Sequence, residues 1–346
     1  MKPRALGRAP PAGGFVGVAN VCFINDFTIP ARTVVVTGAT SGLGRACAAA
    51  LARRPGWTVV VAARDAARGE RTAGELRSAG RVRSAGEHGA GGEDRCAPAA
   101  VALPLDLADL ASVRAFPGRL AAAGLPPLHG LVANAGVQYR DRRHVTADGF
   151  EATFGVNHLG HFLLLWLLVP ALAADGRVVI VASGTHKDRR VRNLGFPPPR
   201  WEDPRALAAP GAGSGQVAYA TSKLANVMTM LELDRRMASL RPGARIAVHG
   251  LDPGLMPATG LDQDYPPAAR RVYAALAPAI AAVVPGATTP ERAGDRLAAM
   301  VADPAFAAPG GRYVEVDRDG VPSALARDRA RAQELWEASQ ELVGLP

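Results

Sequence analysis

Tyr219 and Lys223 stand four residues apart in the stretch YATSK. On a helix this spacing puts both side chains on one face. A free tyrosine titrates near pH 10, too high for easy proton exchange at neutral pH. A nearby lysine favours tyrosinate, so the pair has the makings of an acid/base device. The same spacing also suits plain helix surface. The device needs a cofactor, a partner hydroxyl and a pocket, which other parts of the chain must supply.

A second group of residues could hold a phosphate. TGATSGLG places Gly38, Gly42 and Gly44, with Thr40, Ser41 and Leu43 between them, after a strand-like run and before a helical one. Glycine lets the backbone turn sharply and approach a phosphate, and the helix start adds open N–H groups. This arrangement, as the first βα unit, predicts dinucleotide binding. The next strand ends in VVVAARD. A carboxylate at that tip would accept bonds from a ribose 2′-hydroxyl, whereas Arg64 suits a 2′-phosphate. With Arg45 expected nearby, the expected cofactor is NADP(H), with NAD(H) as the lesser choice. Asp106, followed by Leu107, closes a third strand where an acid can bond the adenine edge. Asn134, Ala135 and Gly136 end a fourth, with small residues where cofactor and backbone meet.

The elements that position these residues read as alternating strands and helices. Seven apolar runs qualify as strands: TVVVTGA, WTVVVAAR, AVALPLD, LHGLVANAG, GRVVIVAS, ARIAVHGLDPG and GRYVEV. Continuous apolar strands separated by helices predict an α/β fold. It is a single Rossmann-type doubly wound domain with a seven-stranded, mainly parallel sheet and helices on both faces. The domain is expected over 32–346, after a disordered extension at 1–31. Residues 79–98 read as a surface insertion and 184–216 as a loop before the tyrosine helix.

The chain has 346 residues, 48% of them hydrophobic, and a net charge of +9. The arginines are scattered without a basic run, which argues against nucleic-acid binding. Cys22, Cys47 and Cys96 lack metal or disulfide spacing and read as free thiols. The apolar run 161–174 is short for a bilayer span and reads as a buried helix. A cytoplasmic protein with no metal and no transmembrane segment is expected.

Taken in order, TGATSGLG, the NAG of 134–136, Asn157, Ser183 and YATSK resemble the short-chain dehydrogenase/reductase superfamily over 32–346. The resemblance implies Tyr219 as acid/base. Lys223 would lower its pKa and bond the nicotinamide ribose. Ser183 would orient the substrate oxygen, and Asn157 would hold the water that links Lys223 to solvent. It also implies a turn at Pro253 and Gly254, with Met256, beside the nicotinamide carboxamide, a substrate lid over 255–289, and a homodimer or homotetramer. The family often has a threonine where Ala258 stands here.

GVNHLGHFLLL, VASGTHK and MTMLELDRR look similar to the branch holding protochlorophyllide reductases and retinol dehydrogenases, and the C-terminal ARAQELWEASQELVGLP resembles the protochlorophyllide reductase tail. The photoactive members carry cysteines where Ala225 and Leu255 stand. The expected substrate is therefore a small, lipophilic carbonyl compound or alcohol. Reduction of a C=C bond and cofactor sensing without turnover are the alternatives.

Overall fold

The computed structural model describes residues 21–24, 27–87, 99–188, 195–256, 271 and 286–346. Its centre is an eight-stranded sheet. The first half of the chain contributes β3 (Arg32–Thr37), β4 (Trp57–Ala63), β5 (Ala100–Pro104) and β6 (Leu128–Ala133). The second half contributes β8 (Leu172–Val181), β10 (Ala247–Asp252), β11 (Tyr313–Glu315) and β12 (Arg318–Asp319). Their order is β12-β11-β10-β8-β6-β3-β4-β5. The first seven in sequence are parallel, as expected. The eighth, β12, is a two-residue antiparallel edge on β11, too short for any alternation to show in the sequence.

Side chains along each strand alternate between two cores, as the pleat requires. Val35 and Val60 join the core that holds Phe116, Leu163 and Met228. Val34, Val36, Val59 and Val61 join the one with Leu51, Leu297 and Met300. Helices α1 (Gly42–Ala52), α2 (Ala66–Glu87) and α3 (Leu110–Ala122) follow the first three sheet strands. The chain winds outward from β3 to β5, then crosses back to β6 and continues the other way. Strand order therefore reverses between β3 and β6, and the crevice at their carboxyl ends is where such sheets bind ligands.

Helix α4 (Ala152–Ala171) lies in the first core. It is long and apolar enough to cross a membrane by composition, but most of it is buried inside the fold. The apolar run 161–174 spans two elements, since Leu172 already begins β8. Within α4, Gly155–Gly160 form a π turn. A Cβ at Gly160 would lie 2.5 Å from the Leu107 carbonyl oxygen, so this side of the helix must be bare.

Helix α5 (Pro204–Ala208) and strand β9 (Gly211–Ser214) occupy part of the expected 184–216 loop, and β9 pairs with β7 (Asp141–Arg142). Helix α6 (Gly215–Leu240) carries YATSK. Helix α7 (Pro290–Ala302) packs on α1, and α8 (Arg329–Leu342) packs on α6.

Three segment expectations meet the structure only in part. In the 1–31 extension, β1 (Val21–Ile24) and β2 (Phe27–Pro30) form an antiparallel ribbon, and 1–20 lie outside the described residues. In the 79–98 insertion, α2 continues through Glu87, and 88–98 lie outside. Of the 255–289 lid, 257–270 and 272–285, with Ala258, lie outside, and Leu255 bridges to Ala287.

Candidate active site

A cavity of about 1290 Å³ opens at the carboxyl ends of the sheet strands. Pockets for one small molecule are typically about 300–1,000 Å³, so a cofactor and a substrate have room side by side. The glycine turn Gly38–Gly44, Arg64, Asp106, Leu107 and Asn134–Gly136 border it. So do Ser183, Tyr219, Lys223, Pro253, Gly254 and Met256. Of the residues expected at the site, Asn157 does not border the cavity.

The turn after β3 is built for close approach. Gly38 and Gly42 have φ of 66° and 49°, in the left-handed region that disfavours side chains. A Cβ on Gly44 would lie 2.4 Å from both the Asn134 side chain and the Gly38 carbonyl oxygen. Asn134 Nδ2 donates to the Thr37 carbonyl at 2.8 Å, which locks β6 to β3 beneath the turn. The Ser41 hydroxyl makes no cap on α1, leaving the N–H groups of its first turn open to a ligand. This cradle fits a dinucleotide phosphate.

At the tip of β4, Arg64 and Arg68 both border the cavity. Asp65 does not: its carboxylate accepts the Arg68 main-chain N–H at 2.9 Å and starts α2. That bond, first among the causes, holds the carboxyl below its usual range. Arg45 departs from expectation, since it pairs with Glu75 at 2.7 Å and does not border the cavity. Arg68 was not anticipated, although its place in the first turn after the β4 tip is a readable signal.

Tyr219 is buried, with the Ser183 hydroxyl as hydrogen-bond partner. Ser183 also caps the short turn Gly184–His186, which aims its side chain. Lys223 Nζ donates to the Val181 carbonyl at 3.2 Å and sits 5.6 Å from the centre of the Tyr219 ring. Burial pushes the Tyr219 hydroxyl up, Asp252 adds to this, and the bond to Ser183 opposes it. The expected lowering by Lys223 is not among the causes that act on this hydroxyl. Lys223 is itself pushed down to about 8 by burial, against the pull of Asp252. Burial thus favours the neutral phenol of Tyr219, the form that can donate a proton.

Asp252 is the main residue that sequence reasoning missed, although it was in plain view in LDPG. It ends β10, borders the cavity and is 8% exposed. Its Oδ1 accepts the Gly254 N–H at 3.0 Å. Burial pushes its carboxyl up, opposed by hydrogen bonds from Gly254 and Gly184 and by the charges of Lys187 and Lys223. Lys187, ion-paired with Glu315, completes a charged wall at this end of the cavity.

Asn157 is fully buried beside the site. Its side chain accepts the Val137 N–H at 2.8 Å and donates to the Val137 carbonyl at 2.9 Å and to Ser222 Oγ at 3.0 Å.

Residues 32–194 match the family model described as short chain dehydrogenase. The chain is 37% identical to the mouse (Mus musculus) polyprenol dehydrogenase over 321 residues, covering 91% of this chain and 84% of that protein. It is 34% identical to protochlorophyllide reductase A of rice (Oryza sativa subsp. japonica) over 345 residues, covering 92% and 82%. Among solved structures, an uncharacterised protein from Mycobacterium paratuberculosis superimposes with a TM-score of 0.58 at 30% identity, covering 91% and 94%. Together with the crevice, the glycine turn and the Ser183, Tyr219 and Lys223 cluster, these likenesses show that the chain belongs to the short-chain dehydrogenase/reductase family of nicotinamide-dependent oxidoreductases.

Proposed function

We propose that the protein is an NADP(H)-dependent oxidoreductase that interconverts a lipophilic carbonyl compound and its alcohol, with Tyr219 as acid/base. One observation carries this reading. The buried Tyr219 hydroxyl bonds with Ser183 in the same cavity as the glycine turn, with Lys223 beside its ring.

The cofactor, when bound, supplies or accepts the hydride. Gly38, Thr40, Ser41, Gly42, Leu43 and Gly44 cradle its phosphates. Arg64 and Arg68 receive the 2′-phosphate, Asp106 and Leu107 the adenine, and Asn134, Ala135 and Gly136 the adjoining ribose side. Pro253, Gly254 and Met256 line the nicotinamide end. Ser183 orients the substrate oxygen, and Tyr219 gives it a proton during reduction and takes one back during oxidation. Lys223 bonds the nicotinamide ribose, and Asp252 helps keep its ammonium charged despite burial.

Support for a lipophilic substrate comes from Val145, Phe196, Leu255, Met256 and Val316, which border the cavity. Phe196 meets the Tyr219 ring edge-on at 5.9 Å. The name of the mouse relative points to a lipophilic alcohol as well. Likeness to the rice reductase over nearly the whole chain favours a second reading, reduction of a C=C bond.

An assay with NADPH and a panel of long-chain enals separates the readings. The expected product is the allylic alcohol with its double bond intact. A saturated aldehyde would establish the second reading. Tight NADPH binding without any turnover would overturn both.

A further inference from the structure

The side chain of Asn157 is committed to Val137 and Ser222, which leaves its main-chain carbonyl as the group able to bond elsewhere. At the end of the π turn, the main-chain N–H of His161 bonds to the His158 carbonyl rather than to that of Asn157. The His161 ring turns back instead, and its Nδ1 lies 3.1 Å from the Asn157 carbonyl oxygen. Its Nε2 lies 2.9 Å from Thr37 Oγ1. His161 is 3% exposed.

The hydrogens can be assigned by counting. A threonine hydroxyl has one proton and two lone pairs. The N–H groups of Asn134 and Ala135 both donate to Thr37 Oγ1, each at 2.9 Å, and fill the lone pairs. The hydroxyl proton then has two candidate acceptors, the Val132 carbonyl at 3.2 Å and His161 Nε2 at 2.9 Å. A protonated Nε2 would meet an oxygen with no lone pair to offer. A bare Nδ1 would set its lone pair against that of a carbonyl. Both clashes disappear when Nδ1–H donates to Asn157 and Thr37 donates to Nε2.

We infer that His161 is a positioning residue, held as the neutral Nδ1–H tautomer, that ties the Asn157 carbonyl to the ends of β3 and β6. Thr37 immediately precedes Gly38, and Ser222 immediately precedes Lys223. One buried ring therefore holds in register the glycine turn, the Asn134–Ala135 strand end and the π turn that backs the tyrosine helix. Lys223 on α6 and His158 one turn back on α4 are the charged or titratable groups acting on the ring. Burial, foremost, pushes the imidazole down to about 4, opposed by its hydrogen bonds to the Asn157 and Val156 main chain, and Lys223 adds to the lowering.

The catalytic consequence rests on the proposed function, whereas the tautomer does not. Nitrogen-15 NMR of the full-length protein labelled at histidine tests the assignment directly. The expected spectrum has a protonated Nδ1 and a bare Nε2 on His161, unchanged from pH 8 down to pH 5.5. A protonated Nε2, or titration within that range, would overturn it.

Two variants test the positioning role. His161→Asn keeps a donor where Nδ1 was, and His161→Gln keeps a polar group where Nε2 was. A lost neutral hydrogen bond changes a rate about 3- to 10-fold. Each variant keeps one end of the tie and loses the other, so the expected result is kcat lowered by about that factor in both, with NADPH affinity changed less than kcat. Wild-type kcat in either variant, or an effect confined to KM, would overturn the role. Should the Gln variant fail to fold, the tautomer measurement decides. A wild-type protein with the expected tautomer but no turnover would count against the oxidoreductase reading and leave the His161 assignment standing.

Discussion

Arg64 reads as a phosphate partner in the sequence because it stands where a ribose-binding carboxylate otherwise would, and the proposed NADP(H) preference rests on it. The competing Asp65 is removed from consideration by geometry, since its carboxylate is spent starting α2. Arg68 joins Arg64 at the cavity wall. Hydrogen bonds to charged groups contribute about 1.5–3 kcal/mol, or roughly 10- to 100-fold in affinity. The Arg64→Ser, Arg68→Ser double variant should raise KM for NADPH by about that factor and leave NADH kinetics nearly unchanged. Steady-state kinetics with both cofactors checks this, and equal changes would contradict it. The spacing of Tyr219 and Lys223 was equally legible, but the electrostatic balance between them was not. That balance depends on how deeply α6 is buried and on Asp252, which lies far along the chain. His161 stood in the quoted GVNHLGHF, yet its partner Thr37 is 124 residues away, and nothing local announces the contact.

Strands were the most readable elements, because buried parallel strands are written as unbroken apolar runs. The π turn was not readable. GVNHLG contains no proline, and its glycines serve packing against Leu107 and Thr146 that appears only in the fold. The continuation of α2 to Glu87 was hidden by glycines, although the alanines and arginines between them favour helix. The tail helix α8 is fastened to the core by Trp336, which is 4% exposed. Phe162 meets Trp336 edge-on at 4.9 Å, and the Arg236 guanidinium lies 4.9 Å over its ring. Emptying such a site typically costs about 3–5 kcal/mol. Trp336→Ala should lower the urea midpoint accordingly, and an unchanged midpoint would show that α8 contributes little.

At the scale of the whole molecule, two buried histidines set an acid limit. Burial, the first cause for each, pushes His158 down to about 3 and His161 to about 4. Below pH 6.5 the unfolded chain binds protons at both sites and the native state does not, so stability falls with pH. With both unfolded sites protonated, their contribution to the slope approaches about 2.7 kcal/mol per pH unit. Melting temperature should drop between pH 7.5 and 5, and a flat or rising profile would contradict this. The two-core sheet exists to bring the glycine turn, the arginine pair and the Ser183–Tyr219–Lys223 cluster around one cavity. Tyr219→Phe tests that claim most directly, because it removes one oxygen and little else. Acid–base groups contribute about 10²- to 10⁴-fold. The account predicts a loss of kcat in that range, with NADPH affinity retained by fluorescence titration. Unchanged turnover in the phenylalanine variant would contradict it.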